Sequence, residues 1–584
     1  MQLLSFPFAI IALSTVALSV GCVASDDKGT DDTSTQTTDT GAAIVDDDSD
    51  GVAVDDDCDD TDANLGAVSD DGDCDGALTA DDCDDGDVNL GAVSDDGDCD
   101  GALTADDCDD GDAAINPGAI DELLADMDCV EGISDNSLAL AGYSFVGENS
   151  GDGAGFSVSS AGDVDGDDLD DILVGANANN DSAGKVYLIL GASLGSTSAI
   201  DLSNADYSFV GENSGDGAGF SVSSAGDVDG DGLDDLLVGA NNNIYGGSAY
   251  LILGASLGLT SEIDLSNADY SFVGENSGDG AGVSVSSAGD VDGDDLDDLL
   301  VGADGCDDYA GKVYLILGAS LGITSEIELS DADYSFAGEN NYDSVGQSVS
   351  SAGDVDADGL DDLLMGSYGN DGAGKVYLIL GASLGITSEI DLSNADYSFV
   401  GENDVDRAGS SVSNAGDVDG DGLDDLLMGA YGNDDGGVQA GKVYLILGAS
   451  LGITSEIDLS NADYSFVGQY NVDYAGFSVS NAGDVDGDGL DDLLVGAQNN
   501  DDGGSSAGKT YLILGASLGV SSEIDLYYAD HSFVGENNYD RSGVSVSSAG
   551  DVDGDGLDDL LVGADDNGDS GSGAGKAYLI LSGL

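Results

Sequence analysis

From Tyr143 onward the chain copies one unit seven times, at intervals of 63 to 67 residues. The copies begin YSFVGE or a one-residue variant at Tyr143, Tyr207, Tyr270, Tyr334, Tyr397 and Tyr464, and HSFVGE at His531. Near-identical units need near-identical surroundings, which leaves solenoids and closed rings as architectures. Each unit then runs through SVSSAGD or a close variant, an aspartate-rich loop, DLLVGA, a variable Gly/Asn loop and KVYLILGASLG. The apolar runs are four to seven residues long, rich in Val, Leu, Ile and Tyr, and bounded by Gly, Asn and Asp. Such runs predict strands. Four strands per unit and seven units predict an all-β fold, a seven-bladed β-propeller over residues 143–584. The ends of the repeat favour a ring. The final unit stops at KAYLILSGL without a following YSFVGE, and an extra YSFVGE at Tyr143 precedes the first unit's own loop. Pairing that strand with the last blade closes the circle, whereas a solenoid calls for distinctive capping units.

The repeated loop carries the chemistry. At Asp163 it reads D-x-D-G-D-x-x-D-D, with Asp163, Asp165 and Asp167 at positions one, three and five, a Leu169 backbone carbonyl available at seven, and Asp171 at nine. Alternate residues of a tight turn converge their oxygens, and Ca²⁺ takes six to eight hard oxygens, where Mg²⁺ demands a tighter octahedron and keeps its waters. Glycine at position four eases the turn. The set recurs as Asp227, Asp229, Asp231, Leu233 and Asp235, then as Asp290, Asp292, Asp294, Leu296 and Asp298. It continues as Asp354, Asp356, Asp358, Leu360 and Asp362, and as Asp417, Asp419, Asp421, Leu423 and Asp425. The last two copies are Asp484, Asp486, Asp488, Leu490 and Asp492, and Asp551, Asp553, Asp555, Leu557 and Asp559. Only the fourth loop replaces the glycine, with Ala357, and it keeps every carboxylate. Simple Asp-Gly turns are the alternative, one that suits a single loop better than seven copies of a ligand set. With 120 acidic residues against 9 basic ones, the net charge of −111 drives a compact state apart unless cations are bound. It also excludes nucleic acid as a partner. A salt-adapted surface accounts for part of the excess but not for its fixed spacing.

The string GFSVSSAGDVDGDGLDDLLVGA, repeated at this period, resembles the FG-GAP repeat of the integrin α-subunit propeller, over Tyr143 to Leu584. The resemblance implies seven blades, calcium loops in the hairpin between the first two strands of each, and a role in adhesion or ligand binding. The FG pair stands as Ala154-Gly155 in the first blade, and GAP becomes Gly175-Ala176-Asn177. Ligand and partner therefore do not carry over with the fold.

Residues 1–21 form an apolar run ending in small residues, the pattern of a signal peptide. Leu18 to Cys22 resembles a bacterial lipoprotein cleavage box, with Ser19 where that family usually has Leu, and the resemblance implies lipidation of Cys22. An ordinary signal peptide or an uncleaved anchor helix is the alternative. No later run approaches the ~18 apolar residues of a membrane span. The remainder is expected to be exported, at the outer membrane or surface of a bacterium, with lipid as its sole membrane contact. Residues 22–45 make a flexible linker. Residues 46–132 hold a 25-residue repeat containing Cys58, Cys74, Cys83, Cys99, Cys108 and Cys129. Disulfides substitute for packing in exported segments this poor in large apolar residues, though connectivity stays open among fifteen pairings. Asp46, Asp48, Asp50 and Asp57 fit D-x-D-x-D-G-x5-D, as do Asp71, Asp73, Asp75 and Asp82, and Asp96, Asp98, Asp100 and Asp107. The Asp/Cys pattern resembles thrombospondin type 3 repeats, which implies a calcium-binding stalk; a bare acidic spacer is the other reading.

No catalytic constellation emerges, and the chain is not expected to be an enzyme. The single histidine, His531, replaces a strand tyrosine, and Cys306 has no histidine partner and reads as an unpaired loop thiol. Lys185, Lys312, Lys375, Lys442, Lys509 and Lys576 occupy one repeat position, which suggests a structural ion pair. Binding is better supported. The strands and aspartate loops barely vary between units, but GENSGDGAG gives way to GENNYDSVG, GENDVDRAG, GQYNVDYAG and GENNYDRSG, and the segments after VGA vary too. On an integrin-like blade both sets lie on the face opposite the calcium loops, where ligand binds. Tyr342, Arg407, Tyr470, Tyr474, Tyr539 and Arg541 vary there, with Tyr245, Tyr309, Tyr368 and Tyr431 nearby. Tyr and Arg are favoured binding anchors, and drift in exposed loops is the competing explanation. The expected function is adhesion or protein binding through that face; a carbohydrate-binding, lectin-like propeller and a structural coat protein are the alternatives.

Overall fold

The structure, a computed structural model, describes residues 137–582 apart from 244, 245, 259, 323, 453 and 520. The signal segment, Cys22, the stalk aspartates and the six stalk cysteines lie outside the described residues, as does Tyr245.

Blade 1 is a sheet of Ser157–Gly162, Asp171–Ala176, Lys185–Ile189 and Tyr207–Val210, paired antiparallel in that order. Six further blades repeat it. The first strands of successive blades touch one another, and the seventh, Val546–Gly550, returns to Ser157–Gly162, so seven strands encircle an axis. Closure takes the expected route. Tyr143–Val146 pairs antiparallel with Lys576–Ile580, placing Tyr143 opposite Leu579 and Val146 opposite Lys576.

The second strand of each blade is buried along its whole length, as in Asp235–Ala240. Successive side chains point to opposite faces of a strand. Leu236 accordingly packs with Leu173, Val186 and Phe209 of blade 1, and Leu237 with Leu299, Val301 and Tyr314 of blade 3. Both faces are covered by neighbours, which is why DLLVGA reads as a continuous apolar run instead of an alternating one. Seven such clusters fill the seven interfaces between blades. Each buries a phenylalanine of an outer strand, worth about 1.5–3 kcal/mol relative to exposure.

Six sheets have five strands, not the expected four. A three-residue strand crosses to the outer edge of the preceding blade, as when Ala199–Asp201 pairs parallel with Ser144, Phe145 and Val146. The seventh edge, at His531–Val534, receives a bridge from Ser137 to Val534. Ser137 then caps a 3-10 turn, Leu138–Leu140, as Asp201 caps Leu202–Asn204, and Leu138 is buried like Leu202. The propeller thus includes the six residues before Tyr143.

Candidate functional site

Antiparallel pairing sorts the loops by face. Those joining the first and second strands, such as 163–170, leave at one end of the sheet, and those joining the second and third, or the fourth and the next blade's first, leave at the other. The aspartate loops therefore occupy one face and both variable loop sets the opposite one.

In the loop at Asp163, the first carboxylate organises the turn. Its Oδ1 accepts from the Gly166 and Asp167 N–H groups at 2.7 and 3.0 Å, and its Oδ2 from Asp168 at 3.0 Å. Asp167 Oδ1 accepts from the Leu169 N–H at 3.2 Å. Asp171 is buried, accepting from Val164 N–H at 3.1 Å and Gly191 N–H at 2.9 Å. One carboxylate oxygen each from Asp163, Asp165 and Asp171 lies within 4.8 Å of the others. The same grouping forms at Asp227, Asp229 and Asp235, at Asp354, Asp356 and Asp362, and at Asp417, Asp419 and Asp425. In the third loop Asp290 and Asp292 gather with Asp294 instead. Positions one, three and nine thus converge in most of these loops, while position five turns its carboxylate to the loop's own backbone.

Burial pushes Asp171 up to about 7, against the pull of its two N–H donors and with help from the charges of Asp165 and Asp167. Asp235, Asp298, Asp362, Asp425, Asp492 and Asp559 are all held near 7, in each case by burial first. Asp165 is raised as well, by burial and then by Asp167 and Asp163. A half-buried carboxylate cluster without a basic residue has the donor set of a hard divalent cation. These aspartates could hold a metal.

The eighth position has a function that the sequence did not reveal. Asp234 Oδ2 accepts from the Asp163 N–H of the preceding loop at 2.9 Å, and the same bond joins Asp297 to Asp227, Asp361 to Asp290, Asp424 to Asp354, Asp491 to Asp417 and Asp558 to Asp484. Two glycines make room for this contact. At Gly162, with φ +70°, a Cβ would fall 2.2 Å from Asp234 Oδ2, and at Gly166, with φ +78°, one would fall 2.9 Å from Leu233 Cδ2. The glycine at position four therefore accommodates the neighbouring loop's leucine as well as the turn. Ala357 takes the same left-handed backbone at φ +59°.

The opposite face rests on a repeated polar frame. Lys185 Nζ lies 2.8 Å from Glu148 Oε1, which also accepts from Tyr187 Oη at 3.0 Å. Lys312, Lys375, Lys442 and Lys576 make the same pair with Glu275, Glu339, Glu402 and Glu536, so the expected structural role holds. Lys509 pairs instead with Asp502, because Gln469 replaces the glutamate. A second pair, Asp152 Oδ2 with Asn179 Nδ2 at 2.8 Å, ties the two variable loops together in blade 1 and recurs in blades 4 to 7. His531 is a strand residue opposite Leu512. Cys306 is unpaired, as expected, between the second and third strands of blade 3, and it is buried; burial, then the Asp279 charge, pushes it up to about 12.

On this frame the loops entering blades 4 to 7 depart from those entering blades 1 to 3. Where the first three use Gly151, Gly215 and Gly278 at φ 85°, 94° and 98°, the last four place Tyr342, Val405, Val472 and Tyr539 at φ 69° to 79°. Two residues further on, Gly153, Gly217 and Gly280 give way to Ser344, Arg407, Tyr474 and Arg541, with φ between 55° and 61°. Left-handed backbone costs a side-chain-bearing residue roughly 1–2 kcal/mol. Tyr342 is 70% exposed and stacks on Tyr309 at 6.2 Å, while Tyr470 and Tyr539 are 52% and 63% exposed. Tyr474 packs edge-on to Tyr431 at 5.6 Å. Arg541 lies 3.3 Å from both Asp565 and Asp566.

Six segments, residues 154–189, 218–252, 345–379, 408–446, 475–513 and 542–580, match the FG-GAP repeat. The chain is 29% identical over 283 residues to Integrin alpha pat-2 of Caenorhabditis elegans, covering 46% of this chain and 21% of that protein. It is 31% identical over 255 residues to Integrin alpha-5 of Xenopus laevis, covering 40% and 22%. It is also 27% identical over 244 residues to the Phosphatidylinositol-glycan-specific phospholipase D of Dictyostelium discoideum, covering 39% and 25%. The chain spans about a fifth of the length of the integrin relatives it matches.

Proposed function

We propose that this chain, a carrier of FG-GAP repeats similar in sequence to integrin α subunits, is a calcium-stabilised adhesion module that binds a protein partner on the face opposite its aspartate loops. The observation that carries this reading is the asymmetry of that face. Blades 4 to 7 hold large side chains in left-handed backbone where blades 1 to 3 use glycine. Strain of this kind persists where the side chain has a use. Calcium fits the aspartate loops by donor type and by the convergence of positions one, three and nine. The remaining expectations join the same reading: lipid on Cys22, surface display, and a stalk with disulfides among its six cysteines and calcium in its own aspartate loops.

The test is reversion. Tyr342→Gly, Val405→Gly and Tyr539→Gly restore the residue that the same chain uses elsewhere, so the variant should melt no lower than the parent. Beads coated with the full chain should adhere to an array of extracellular proteins in millimolar calcium, and the reverted chain should lose that adhesion. Undiminished adhesion by the reverted chain overturns the assignment of the face. The stacked, exposed Tyr309 and Tyr342 support a second reading, a glycan-binding rim, which a glycan array would show by binding that the reversion abolishes.

A further inference from the structure

The chain contains two arginines, Arg407 and Arg541, and both line one cavity of about 470 Å³. Phe156, Phe220 and Phe477 share the lining, and each precedes the first strand of its blade. Because those strands encircle the axis, a cavity touched by all three sits at the mouth of the central channel, on the face away from the aspartate loops. Phe156 and Phe220 meet at 5.0 Å, and Tyr431 lies 5.5 Å from Phe477. The two arginines differ in their pairing. Arg541 is held by Asp565, Asp566 and Gln498, whereas Arg407 lies over the Tyr431 ring at 5.1 Å, donates to Tyr431 Oη, and pairs with no carboxylate among the described residues.

In a chain with 120 acidic residues, a guanidinium left without a carboxylate stands out. The backbone reinforces the point, since Arg407 is held at φ 61° where the corresponding residue entering blades 1 to 3 is glycine. Resting on the protein-binding reading above, we infer that this cavity receives an acidic side chain from a loop of the partner protein. The carboxylate would pair with Arg407, and the aromatic wall would take an adjacent apolar or aromatic side chain. A cavity of this size and mixed lining suits a single inserted side-chain pair, and a planar guanidinium stacked on a ring is pre-organised to grip a carboxylate at two points. The charge of the remaining surface repels acidic segments everywhere else, so the cavity would also fix where such a partner can land.

The full chain, immobilised in millimolar calcium, should select disulfide-constrained loops from a phage-displayed library that carry Asp or Glu beside an aromatic or aliphatic residue. Changing that acid to its amide should weaken a selected loop about tenfold or more, and so should Arg407→Gln. Arg407→Lys, which keeps the charge and loses the fork, should fall between. 3-Phenylpropionate should compete with the loop and 3-phenylpropanamide should not. Unchanged melting temperatures would show that the variants remain folded, and the competition arm reads the unmodified chain. Selection of basic loops, equal binding of the amide, or indifference to Arg407→Gln overturns the inference. So does capture of a glucuronate oligomer in preference to the selected loops, which assigns the cavity to sugar acids. If rim reversion abolishes adhesion while Arg407→Gln leaves it intact, the adhesion reading stands and this inference falls. Arg407-dependent loops without adhesion to any protein surface would leave the cavity assigned and remove the adhesion reading.

Discussion

The Asp551 N–H donates to Asp170 Oδ2 at 2.9 Å, although the two residues are 381 positions apart in the chain. The Asp170 N–H returns a bond to the Asp551 carbonyl at 3.1 Å. With the six equivalent pairs this completes a seven-membered ring of hydrogen bonds around the aspartate face. Burial raises Asp170, so the charge itself is a cost and the acceptor is what the fold uses. Asp170→Asn keeps an acceptor and should match or exceed the parent in denaturant unfolding without calcium. Asp170→Ala orphans a part-buried N–H and should cost about 1–3 kcal/mol. Equal losses in the two variants would show that the bond is not what matters.

Calcium should decide whether the propeller survives heating. A loop at tenfold saturation gains roughly 1.4 kcal/mol by mass action, and extracellular modules bind at about 10⁻⁴ to 10⁻³ M. Seven independent loops would then contribute on the order of 10 kcal/mol, comparable with a domain's net stability. Chelation is expected to lower the melting temperature steeply, and calcium to restore it where sodium chloride of equal ionic strength does not, because sodium screens charge without bridging carboxylates. Full rescue by sodium would reduce the loops to acidic turns.

Blade 2 offers a gain-of-stability test. Lys442 bridges Glu402 and Asp435, both at 2.8 Å, over the Tyr444 ring, whereas blade 2 has Ser248 at that position, and its Glu212 accepts from Tyr250 Oη at 3.1 Å. Ser248→Lys should raise stability by up to about 1 kcal/mol. Lys442→Met, which strands two carboxylates, should lower it by about 1–3 kcal/mol. Calorimetry of the two variants reads both signs; a loss on Ser248→Lys would mean that blade 2 has repacked around the serine.

The propeller and its closure were legible because each is written locally and repeated, whereas the turn of the position-five carboxylate to the loop's own backbone was not. DLLVGA announces a strand by composition, and D-x-D-G-D places its carboxylates on one turn. The fifth strand escaped notice because Glu262–Asp264 and its counterparts are three residues long, polar and half exposed, and gain their identity from an edge contributed by the preceding blade. Asp234 was hidden for a related reason. Beside Asp235 it looks like one more ligand, and its partner lies 71 residues away. The central cavity draws Phe156, Phe220 and Phe477 from separate units, and only a closed ring brings them together. Within one unit each is simply an apolar residue before a strand.

The N-terminal segment also sets how the ring would respond to tension. Tyr143–Val146 is clamped on both edges, by Lys576–Ile580 and by Ala199–Asp201. A pull entering at Ser137 does not reach that strand directly. It first loads the Ser137–Val534 bridge and the buried Leu138, which anchor the chain to the neighbouring blade. That short anchorage has one bridge and the side chains of Leu138 and Ala141 to lose, less than the four-residue strand behind it. It would yield first while the circle of blades stays shut, and reseat when the load is removed.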